Sequence, residues 1–170
     1  HNGEIIALAS SPDFDANKER SGSGKNKDAS IYFNRVVQGV YEMGSTFKIF
    51  PVAQGLEKNL FKLDSLIDTR PFKISSKKIE DKYKFDNKSS VNEIIVRSSN
   101  VGAAKISLMV GETGLKEIFS TLGLLEPVNL ELKEANLTQP IIPKNWQDIS
   151  LATLSYGYGM SVSLLHMAKA

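Results

Sequence analysis

The sequence predicts an α+β domain that is mainly helical, with a strand near its N-terminus. A short apolar run with two β-branched residues occupies residues 4–9 and is followed by Pro12, a pattern typical of a strand that ends at a proline. From Ser45 onward, apolar residues recur at helical spacing. The 170 residues, 41% of them hydrophobic, are enough for one domain with a buried core.

The first forty residues are predicted to differ from the rest. Residues 1–40 are expected to hold the strand and a mobile polar excursion over 13–30, where Ser and Gly alternate at residues 21–24. Residues 41–170 are expected to form the mainly helical part of the same single, partial domain. No apolar run is as long as a membrane span, and the chain does not open on a signal peptide. We therefore expect it to be a piece from the middle of a longer protein.

Helical periodicity and end signals predict the later elements. Apolar residues surround the segment after Ser45, which indicates a buried helix, and Pro51 predicts an irregular start or a kink in it. Ser90 and Glu93 form a capping-box pattern for a second helix, which is expected to break near residues 98–100. The remaining predictions are helices over 101–110 and 115–122 ending at glycines, a short helix over 149–155, a helix from 163, a turn at 156–159, an irregular segment at 129–145 and a solvated lysine-rich loop at 73–88.

Composition excludes several kinds of site. The chain has 21 basic and 19 acidic residues, a net charge of +2, which is too balanced for a nucleic-acid-binding surface. Without cysteine it has no thiolate or disulfide chemistry, and two histidines do not make a Cys/His zinc site plausible. His166 lies in an apolar helical stretch and is interpreted as a structural residue. No cofactor is predicted.

Two short motifs point to chemistry, Ser45-x-x-Lys48 and, further along, Ser98-x-Asn100. A serine hydroxyl is a weak nucleophile until a base removes its proton. Residues three apart on a helix share a face, so Lys48 is well placed to act on Ser45. Gly44 precedes the serine at the expected helix N-terminus, where N–H groups and the helix dipole favour negative charge. The Ser45 N–H is therefore a candidate for half of an oxyanion hole.

Lys48 has to be neutral to act as a base. Its apolar neighbours Phe47, Ile49 and Phe50 predict burial, which disfavours the ammonium form. Lowering the lysine pKa from about 10.4 to about 7 takes roughly 4–5 kcal/mol of differential desolvation or charge interaction. A buried lysine is therefore the expected general base.

The second motif lies where a helix is expected to break, so its side chains can project into a cleft. Ser98 is a candidate proton relay to the leaving amine, and the Asn100 carboxamide can donate to and accept from a substrate amide. Ser99, between them, is expected to point away. Both patterns also occur elsewhere by chance, as Ser75-x-x-Lys78 and Ser90-x-Asn92.

Around these motifs the chain resembles the transpeptidase domain of class B penicillin-binding proteins, most closely the division-specific septal type (penicillin-binding protein 3-like). The segments that carry the resemblance are Gly-Glu-Ile-Ile-Ala-Leu-Ala-Ser-Ser-Pro at 3–12, Asp-Ala-Asn at 15–17, Asn-Arg at 34–35, Tyr-Glu-Met-Gly-Ser-Thr-Phe-Lys at 41–48, Arg-Ser-Ser-Asn-Val-Gly at 97–102, and Ser-Tyr-Gly-Tyr-Gly with Ser-Val-Ser-Leu-Leu at 155–165. The resemblance implies a penicillin-binding transpeptidase or serine β-lactamase-like fold. This chain would hold mainly its helical part, with an N-terminal strand and an incomplete antiparallel sheet.

The resemblance also implies an activity, a peptidoglycan D,D-transpeptidase that cross-links stem peptides in septal cell-wall synthesis and is the target of β-lactams. Ser45 would form the acyl-enzyme, Lys48 and Ser98 would be catalytic, and Asn100 would bind substrate, with no metal or cofactor. The implied partners are a glycosyltransferase and other division proteins. The implied location is the periplasmic face of the bacterial inner membrane, with the single-pass anchor outside this chain.

One motif of that family is missing from the sequence. The third motif, Lys-Thr/Ser-Gly on a central strand, has only Glu112-Thr113-Gly114 as a counterpart, with an acidic residue in place of the lysine and in a helical stretch. We interpret this match as coincidence, and without the strand the chain alone is expected to lack substrate-carboxylate binding. Two alternatives stay open. One is a class D β-lactamase or β-lactam sensor, which share Ser-Thr-Phe-Lys; the other is a non-catalytic scaffold fragment.

Overall fold

The computed structural model describes residues 4–15, 17 and 29–170. Within these ranges the helices are α1 (Ile49–Glu57), α2 (Val91–Val96), α3 (Asn100–Thr121), α4 (Lys133–Leu137), α5 (Asp148–Leu154) and α6 (Leu164–Lys169). The strands are β1 (Val40–Tyr41), β2 (Leu66–Asp68), β3 (Phe72–Ile74), β4 (Lys77–Ile79), β5 (Lys88–Ser90) and β6 (Val162–Ser163). Two 3₁₀ segments, Ala29–Tyr32 and Gly44–Lys48, come before α1. The predicted α+β class, mainly helical, is confirmed.

The strands pair as three separate antiparallel ribbons, β1 with β6, β2 with β5 and β3 with β4. In the first ribbon Val40 lies opposite Ser163 and Tyr41 opposite Val162. This pairing brings the segment ahead of residue 44 beside the turn that precedes β6. The expected antiparallel sheet is therefore present as short ribbons packed around the helices.

The main core lies between α1 and α3. The rings of Phe47, Phe50 and Phe119 contact one another with centroids 5.1, 5.9 and 6.0 Å apart, two of the pairs edge to face. Such pairs add about 0.5–1.5 kcal/mol to the free energy that burial of their area contributes. Because Phe47 directly precedes Lys48 in the chain, this cluster fixes the backbone that carries the lysine.

The predicted irregular start of the first helix is confirmed. The 3₁₀ segment Gly44–Lys48 leads directly into α1, whose backbone becomes α-helical at Ile49. Pro51 then lies in the first turn of α1, where its missing N–H would have had no partner inside the helix. Pro51 therefore does not break α1, although it prevents the α-helix from beginning earlier in the chain.

The predicted break between the second helix and the next one is also confirmed. The Ser90 hydroxyl accepts the backbone N–H of Glu93 at 3.1 Å and so begins α2. After α2, Ser98 adopts a left-handed backbone conformation with φ of 60°. The Ser99 hydroxyl then accepts the backbone N–H of Gly102 at 2.9 Å and caps α3. Two side-chain caps thus fix the helices on either side of Ser98.

The later helices follow the sequence closely. The predicted break at Gly111 is a kink inside α3, with φ of 72° and ψ of 176° at the glycine. The second part of α3 ends before Gly123, whose φ of 68° is that of a helix-terminating glycine. α5 lies where a short helix was predicted and α6 where a helix from residue 163 was predicted, and Ser163 caps α6 through the His166 N–H.

Three local predictions are wrong. Residues 4–9 form no strand, because no strand among the described residues lies beside them and Ile6 is 99% exposed. Residues 73–88 are not loop throughout, because β3 and β4 form a hairpin that buries Ile79. Residues 133–137 form α4 within a segment predicted to be irregular. The conformation of each of these three segments depends on packing partners elsewhere in the chain.

The predicted excursion at residues 13–30 falls largely on residues 16 and 18–28, which lie outside the described residues. The described helices include none that is long and apolar enough to cross a membrane.

Candidate active site

The side chain of Lys48 lies at the centre of a polar cluster. Its Nζ donates to Ser45 Oγ at 2.8 Å, to Ser98 Oγ at 2.8 Å and to the Ser98 carbonyl oxygen at 3.0 Å. Three acceptors match the three protons of an ammonium group. The structure therefore brings together three of the four residues that the motifs singled out, two from the 3₁₀ segment Gly44–Lys48 and one from the break between α2 and α3.

Burial shifts the ionisation of Lys48 towards its neutral form. The side chain is 2% exposed, and Lys48 directly follows the fully buried Phe47 in the chain. Burial lowers the pKa of Lys48 below its usual value, while the negative charge of Asp81 opposes this by a smaller amount. A neutral amine has one lone pair, which lets it accept the proton of one of the two hydroxyls at 2.8 Å. The predicted burial of this lysine is confirmed.

Ser45 is presented to solvent by the 3₁₀ segment Gly44–Lys48. Its side chain is exposed, whereas Phe47 and Lys48 of the same segment are buried. Gly44, with φ of 58°, turns the chain into the segment directly before the serine. As the second residue of the segment, Ser45 has no carbonyl one turn earlier to accept its N–H. The hydroxyl and the N–H of Ser45 thus lie at the open end of a helix.

The second motif presents its residues in different directions. Ser98 has a left-handed backbone conformation, and its side chain points towards Lys48. Ser99 is fully buried and donates to Asp81 Oδ2 at 2.7 Å, so it does point away from the lysine as predicted. Asn100 is the first residue of α3 and is half-buried; its carboxamide makes no hydrogen bond to any described residue. That amide is therefore available to another molecule.

Asp81 is a residue that sequence analysis missed. Its carboxylate accepts the Ser99 hydroxyl at 2.7 Å, the Val101 N–H at 3.2 Å and the Asn100 N–H. The sequence placed it in a solvated lysine-rich loop, since a single acidic residue there has no distinctive spacing to the second motif. Only the folded chain shows that this carboxylate lies at the N-terminus of α3, directly behind Ser98.

The turn at residues 156–159 was also missed as part of the site. The Gly44 N–H approaches the Gly157 carbonyl oxygen at 3.4 Å, and the Gly159 N–H donates to Glu42 Oε1 at 2.7 Å. This turn therefore packs against the chain just before Ser45. The dipeptide repeat Tyr-Gly-Tyr-Gly predicted a turn, but nothing in it indicated which segment it would contact.

The chance matches to the motifs lie elsewhere. Ser75 is at the β3–β4 turn, and the exposed Lys78 pairs with Glu80. Glu112, of the apparent third motif, lies in α3 and pairs with Lys116 at 2.7 Å. These serines, lysines and acids thus form ordinary turn and helix contacts.

His166 also has a structural role. Its ring is buried, with Nδ1 2.6 Å from Ser163 Oγ and Nε2 2.9 Å from the Glu126 carbonyl oxygen. Burial lowers its pKa, an effect that the Glu126 hydrogen bond partly offsets. Both ring nitrogens are occupied at the N-terminus of α6, and neither contacts the Lys48 cluster.

Comparison with known proteins gives a consistent family. The family model described as the penicillin binding protein transpeptidase domain matches residues 1–170. The chain is 39% identical, over 171 aligned residues, to the probable peptidoglycan D,D-transpeptidase FtsI of Caulobacter vibrioides, covering all of this chain and 28% of that protein. It is 32% identical to the peptidoglycan D,D-transpeptidase FtsI of Escherichia coli K12, covering 98% of this chain and 27% of that protein.

A solved structure agrees with the same family. The apo structure of the TP domain of Burkholderia pseudomallei penicillin-binding protein 3 superimposes with a TM-score of 0.73 and 32% identity, covering 79% of this chain and 41% of that one. The chain thus spans a little over a quarter of the length of the curated relatives it matches. These relatives do not favour the class D β-lactamase alternative.

Proposed function

Since the chain belongs to the penicillin-binding protein transpeptidase family, we propose that it carries the acylation site of a peptidoglycan D,D-transpeptidase, with Ser45 as the nucleophile. The observation that carries the proposal is the position of Lys48 Nζ, 2.8 Å from both Ser45 Oγ and Ser98 Oγ. The Lys48 amine is thereby able to take a proton from the Ser45 hydroxyl and pass a proton to the Ser98 hydroxyl. The names of the relatives supply the reaction class.

In the first half-reaction, Ser45 Oγ attacks the carbonyl carbon of the penultimate D-alanine of a stem peptide. Neutral Lys48 accepts the hydroxyl proton as the new C–O bond forms. The Ser45 N–H, at the open end of the helix, is placed to donate to the developing oxyanion. Lys48 carries a full positive charge only while the tetrahedral intermediate exists.

Collapse of that intermediate completes acylation. The bond between the carbonyl carbon and the terminal D-alanine nitrogen breaks, and Lys48 returns its proton through Ser98 Oγ to the leaving amine. The product is an ester on Ser45, free D-alanine and a neutral lysine, so protons and charge balance. In the second half-reaction an amine from a neighbouring peptidoglycan strand attacks the ester, and the same groups run in reverse.

The Asn100 carboxamide is proposed to hold the stem peptide. Its side chain is half-buried at the start of α3, two residues after Ser98. No described residue forms a hydrogen bond with the carboxamide. An amide is suited to a peptide bond, because it donates and accepts at once. β-Lactams would acylate Ser45 by the same path, since their strained amide takes the place of the D-alanyl peptide bond.

The finer setting follows from the relatives named FtsI. We propose that the protein works in septal cell-wall synthesis on the periplasmic face of the inner membrane, alongside a glycosyltransferase and other division proteins. We also propose the organisation predicted from the sequence: a single partial transpeptidase domain over residues 1–170, with 41–170 as its mainly helical part. Residues 1–170 do not contain the third family motif.

The test is covalent labelling of the full-length protein with a penicillin, followed by intact mass and peptide mapping. We expect one stable adduct, mapped to Ser45 and absent from Ser45→Ala. Ser75→Ala is the matched control, since it alters the other Ser-x-x-Lys match, and it should label as the unaltered protein does. An unlabelled protein, or an adduct on another residue, overturns the proposal.

The scaffold alternative makes a different prediction. A non-catalytic scaffold would show no adduct and no difference between Ser45→Ala and the unaltered protein in any assay. Rapid loss of the adduct, with release of hydrolysed penicillin, would instead be the behaviour of a β-lactamase. Slow loss is expected here.

A further inference from the structure

The Asp81 carboxylate lies immediately behind the second motif. Both of its oxygens are used: Oδ2 accepts from the Ser99 hydroxyl at 2.7 Å, and Oδ1 accepts from the backbone N–H groups of Asn100 and Val101, the latter at 3.2 Å. These are the first free N–H groups of α3, where the helix dipole also favours a negative charge. Charge-assisted bonds of this kind are about twice as strong as neutral ones.

The residue held on the other side of these bonds is Ser98. Its backbone is in the left-handed region, with φ of 60°, a conformation that costs a serine free energy and persists only where surrounding interactions hold it. Asp81 fixes the residues that follow Ser98. The residue before it, Arg97, stacks on Phe85 at 4.2 Å and donates to the Lys84 carbonyl oxygen at 2.7 Å.

One short segment, residues 81–86, thus anchors the chain on both sides of Ser98. The segment is itself tied to the residue that follows β2, because the Thr69 hydroxyl donates to the Asp86 carbonyl oxygen. With both flanks fixed, Ser98 directs its hydroxyl and its carbonyl oxygen at Lys48 Nζ, 2.8 and 3.0 Å away. Two of the three contacts of the lysine therefore depend on this segment.

We propose that Asp81 is a positioning residue of the acylation site, whose carboxylate fixes the backbone of Ser99–Val101 and thereby presents Ser98 to Lys48. The inference rests on the proposed function of Ser45 and Lys48 and adds a residue that acts through Ser98. Asp81 does not touch substrate in this arrangement. Its effect on the reaction is to hold the proton relay in place.

The same carboxylate acts on Lys48 through its charge. Among the described residues, Asp81 is the charged side chain whose field raises the pKa of Lys48, against the larger lowering by burial. The charged side chain next to Ser98, Arg97, is paired with Glu93. The Asp81 charge therefore makes it harder for Lys48 to lose its proton, even though the Asp81 hydrogen bonds hold the relay. The two effects have opposite signs, and this allows them to be separated.

Two substitutions separate them. Asp81→Asn keeps an oxygen for the two backbone N–H groups and offers an N–H to the Ser99 hydroxyl, but removes the charge. Asp81→Ala removes the charge and the hydrogen bonds together. Asp86→Asn is the matched control, because it removes an exposed acid from the same segment without touching the second motif. The probe is a fluorescent penicillin, and the rate of acylation is measured from pH 5 to 10 in the full-length protein.

We expect Asp81→Ala to slow acylation at every pH by about 10²-fold, the order of effect that a displaced reacting group produces. We expect Asp81→Asn to stay within a few-fold of the unaltered maximum while the rising limb of its pH profile moves to lower pH. Asp86→Asn should change neither the rate nor the limb. The displaced limb is a result that a merely structural role for Asp81 would not give.

Each other outcome overturns the inference. Asp81→Ala that reacts at the unaltered rate shows that the carboxylate positions nothing. Asp81→Asn with an unmoved limb, or one moved to higher pH, shows that the charge does not act on Lys48 as inferred. If Asp81→Ala fails to fold, the position of the rising limb in the pH profile of Asp81→Asn is the result that tests the inference. Failure of the unaltered protein to react is a separate result, which overturns the proposed function itself.

Discussion

Gly157 lies so close to Gly44 that a Cβ atom on Gly157 would fall 2.1 Å from the Gly44 carbonyl oxygen and 2.4 Å from its nitrogen. Gly157 also has φ of 80°, a conformation that glycine adopts without strain. The contact joins the turn before β6 to the residue before the proposed nucleophile. The position of Ser45 is therefore set by backbone from the far end of the chain, as well as by α1.

Gly157→Ala is expected to displace Gly44 and slow the acylation of Ser45 by about tenfold or more, since small shifts of a reacting group have large effects on rate. The measurement is the acylation rate with a labelled penicillin, with a thermal melt of each variant alongside.

The matched control for that substitution is Gly159→Ala. Gly159 has a similar φ of 84°, but a Cβ there would meet only the Thr153 hydroxyl at 3.7 Å. It carries the same backbone strain without the collision, so it should lose stability and keep most of its acylation rate. Equal rates in the two variants would contradict the role of the Gly44 contact.

Lys48→Arg is expected to abolish acylation at every pH. A guanidinium stays protonated throughout the accessible range, so it cannot accept the Ser45 proton. In the unaltered protein, burial lowers the pKa of Lys48 from 10.5, and the acylation rate should therefore rise with pH and level off below that value. Stopped-flow acylation between pH 5 and 10 measures both.

Lys78→Arg is the control for the lysine substitution, because Lys78 belongs to the other Ser-x-x-Lys match and pairs with Glu80 at the surface. It should leave the pH profile unchanged. Residual acylation in Lys48→Arg within tenfold of the unaltered rate would mean that another group removes the proton.

The site was predictable from sequence to the extent that it is local. Ser45 and Lys48 are three residues apart on one helix. The break at Ser98 is indicated by the Ser90 cap before it and by apolar periodicity that begins again after it. Asp81 was not predictable, because its three bonds join segments that no local pattern relates. The turn at 156–159 is similar, since only tertiary packing places it against Gly44.

The fold shows the same division. The Ser90 cap predicted the start of α2, and Gly111 and Gly123 predicted the kink and the end of α3, because those signals act within a few residues. Residues 4–9 were predicted as a strand from composition, but a strand needs a partner, and pairing is decided by the rest of the fold. The β3–β4 hairpin was missed because a Ser75–Ser76 turn lacks the glycine or asparagine of common hairpin turns.

His166 is expected to make the stability of the fold pH-dependent. Burial lowers its pKa from 6.5 in the folded state, so the unfolded chain binds the proton more readily. The stabilising contribution of neutral His166 is then complete above about pH 6.5 and is lost as the pH falls through the folded-state pKa. Thermal melts of unaltered protein and His166→Gln from pH 8 to 5 isolate this contribution.

The His166→Gln variant cannot titrate, so its loss of stability relative to the unaltered protein should be largest at high pH and shrink as the pH falls. At pH 8 we expect a cost of about 1–3 kcal/mol, since the variant disturbs the buried hydrogen bonds to Ser163 and Glu126. A pH-independent difference between the two proteins would contradict the assignment of a neutral histidine.

Phe119→Ala is expected to lower the free energy of unfolding by about 3–5 kcal/mol, the usual cost of removing a buried phenylalanine. The ring is 1% exposed and contacts Phe47, Phe50 and Trp146 with centroids 5.9, 6.0 and 6.3 Å away. Chemical denaturation measures the change. Tyr83→Ala, at an aromatic ring that is 66% exposed, should cost less than about 1 kcal/mol.

The milder Phe119→Leu connects this core to the chemistry. Leucine fills most of the space, so the protein should fold with a smaller loss of stability, yet the ring contacts of Phe119 with Phe47 and Phe50 are gone. Because Phe47 precedes Lys48, the amine would be held less firmly between the two serine hydroxyls. We expect the acylation rate of this folded variant to fall several-fold, and an unaltered rate would show that the Lys48 cluster is positioned by its hydrogen bonds and the Asp81 segment alone.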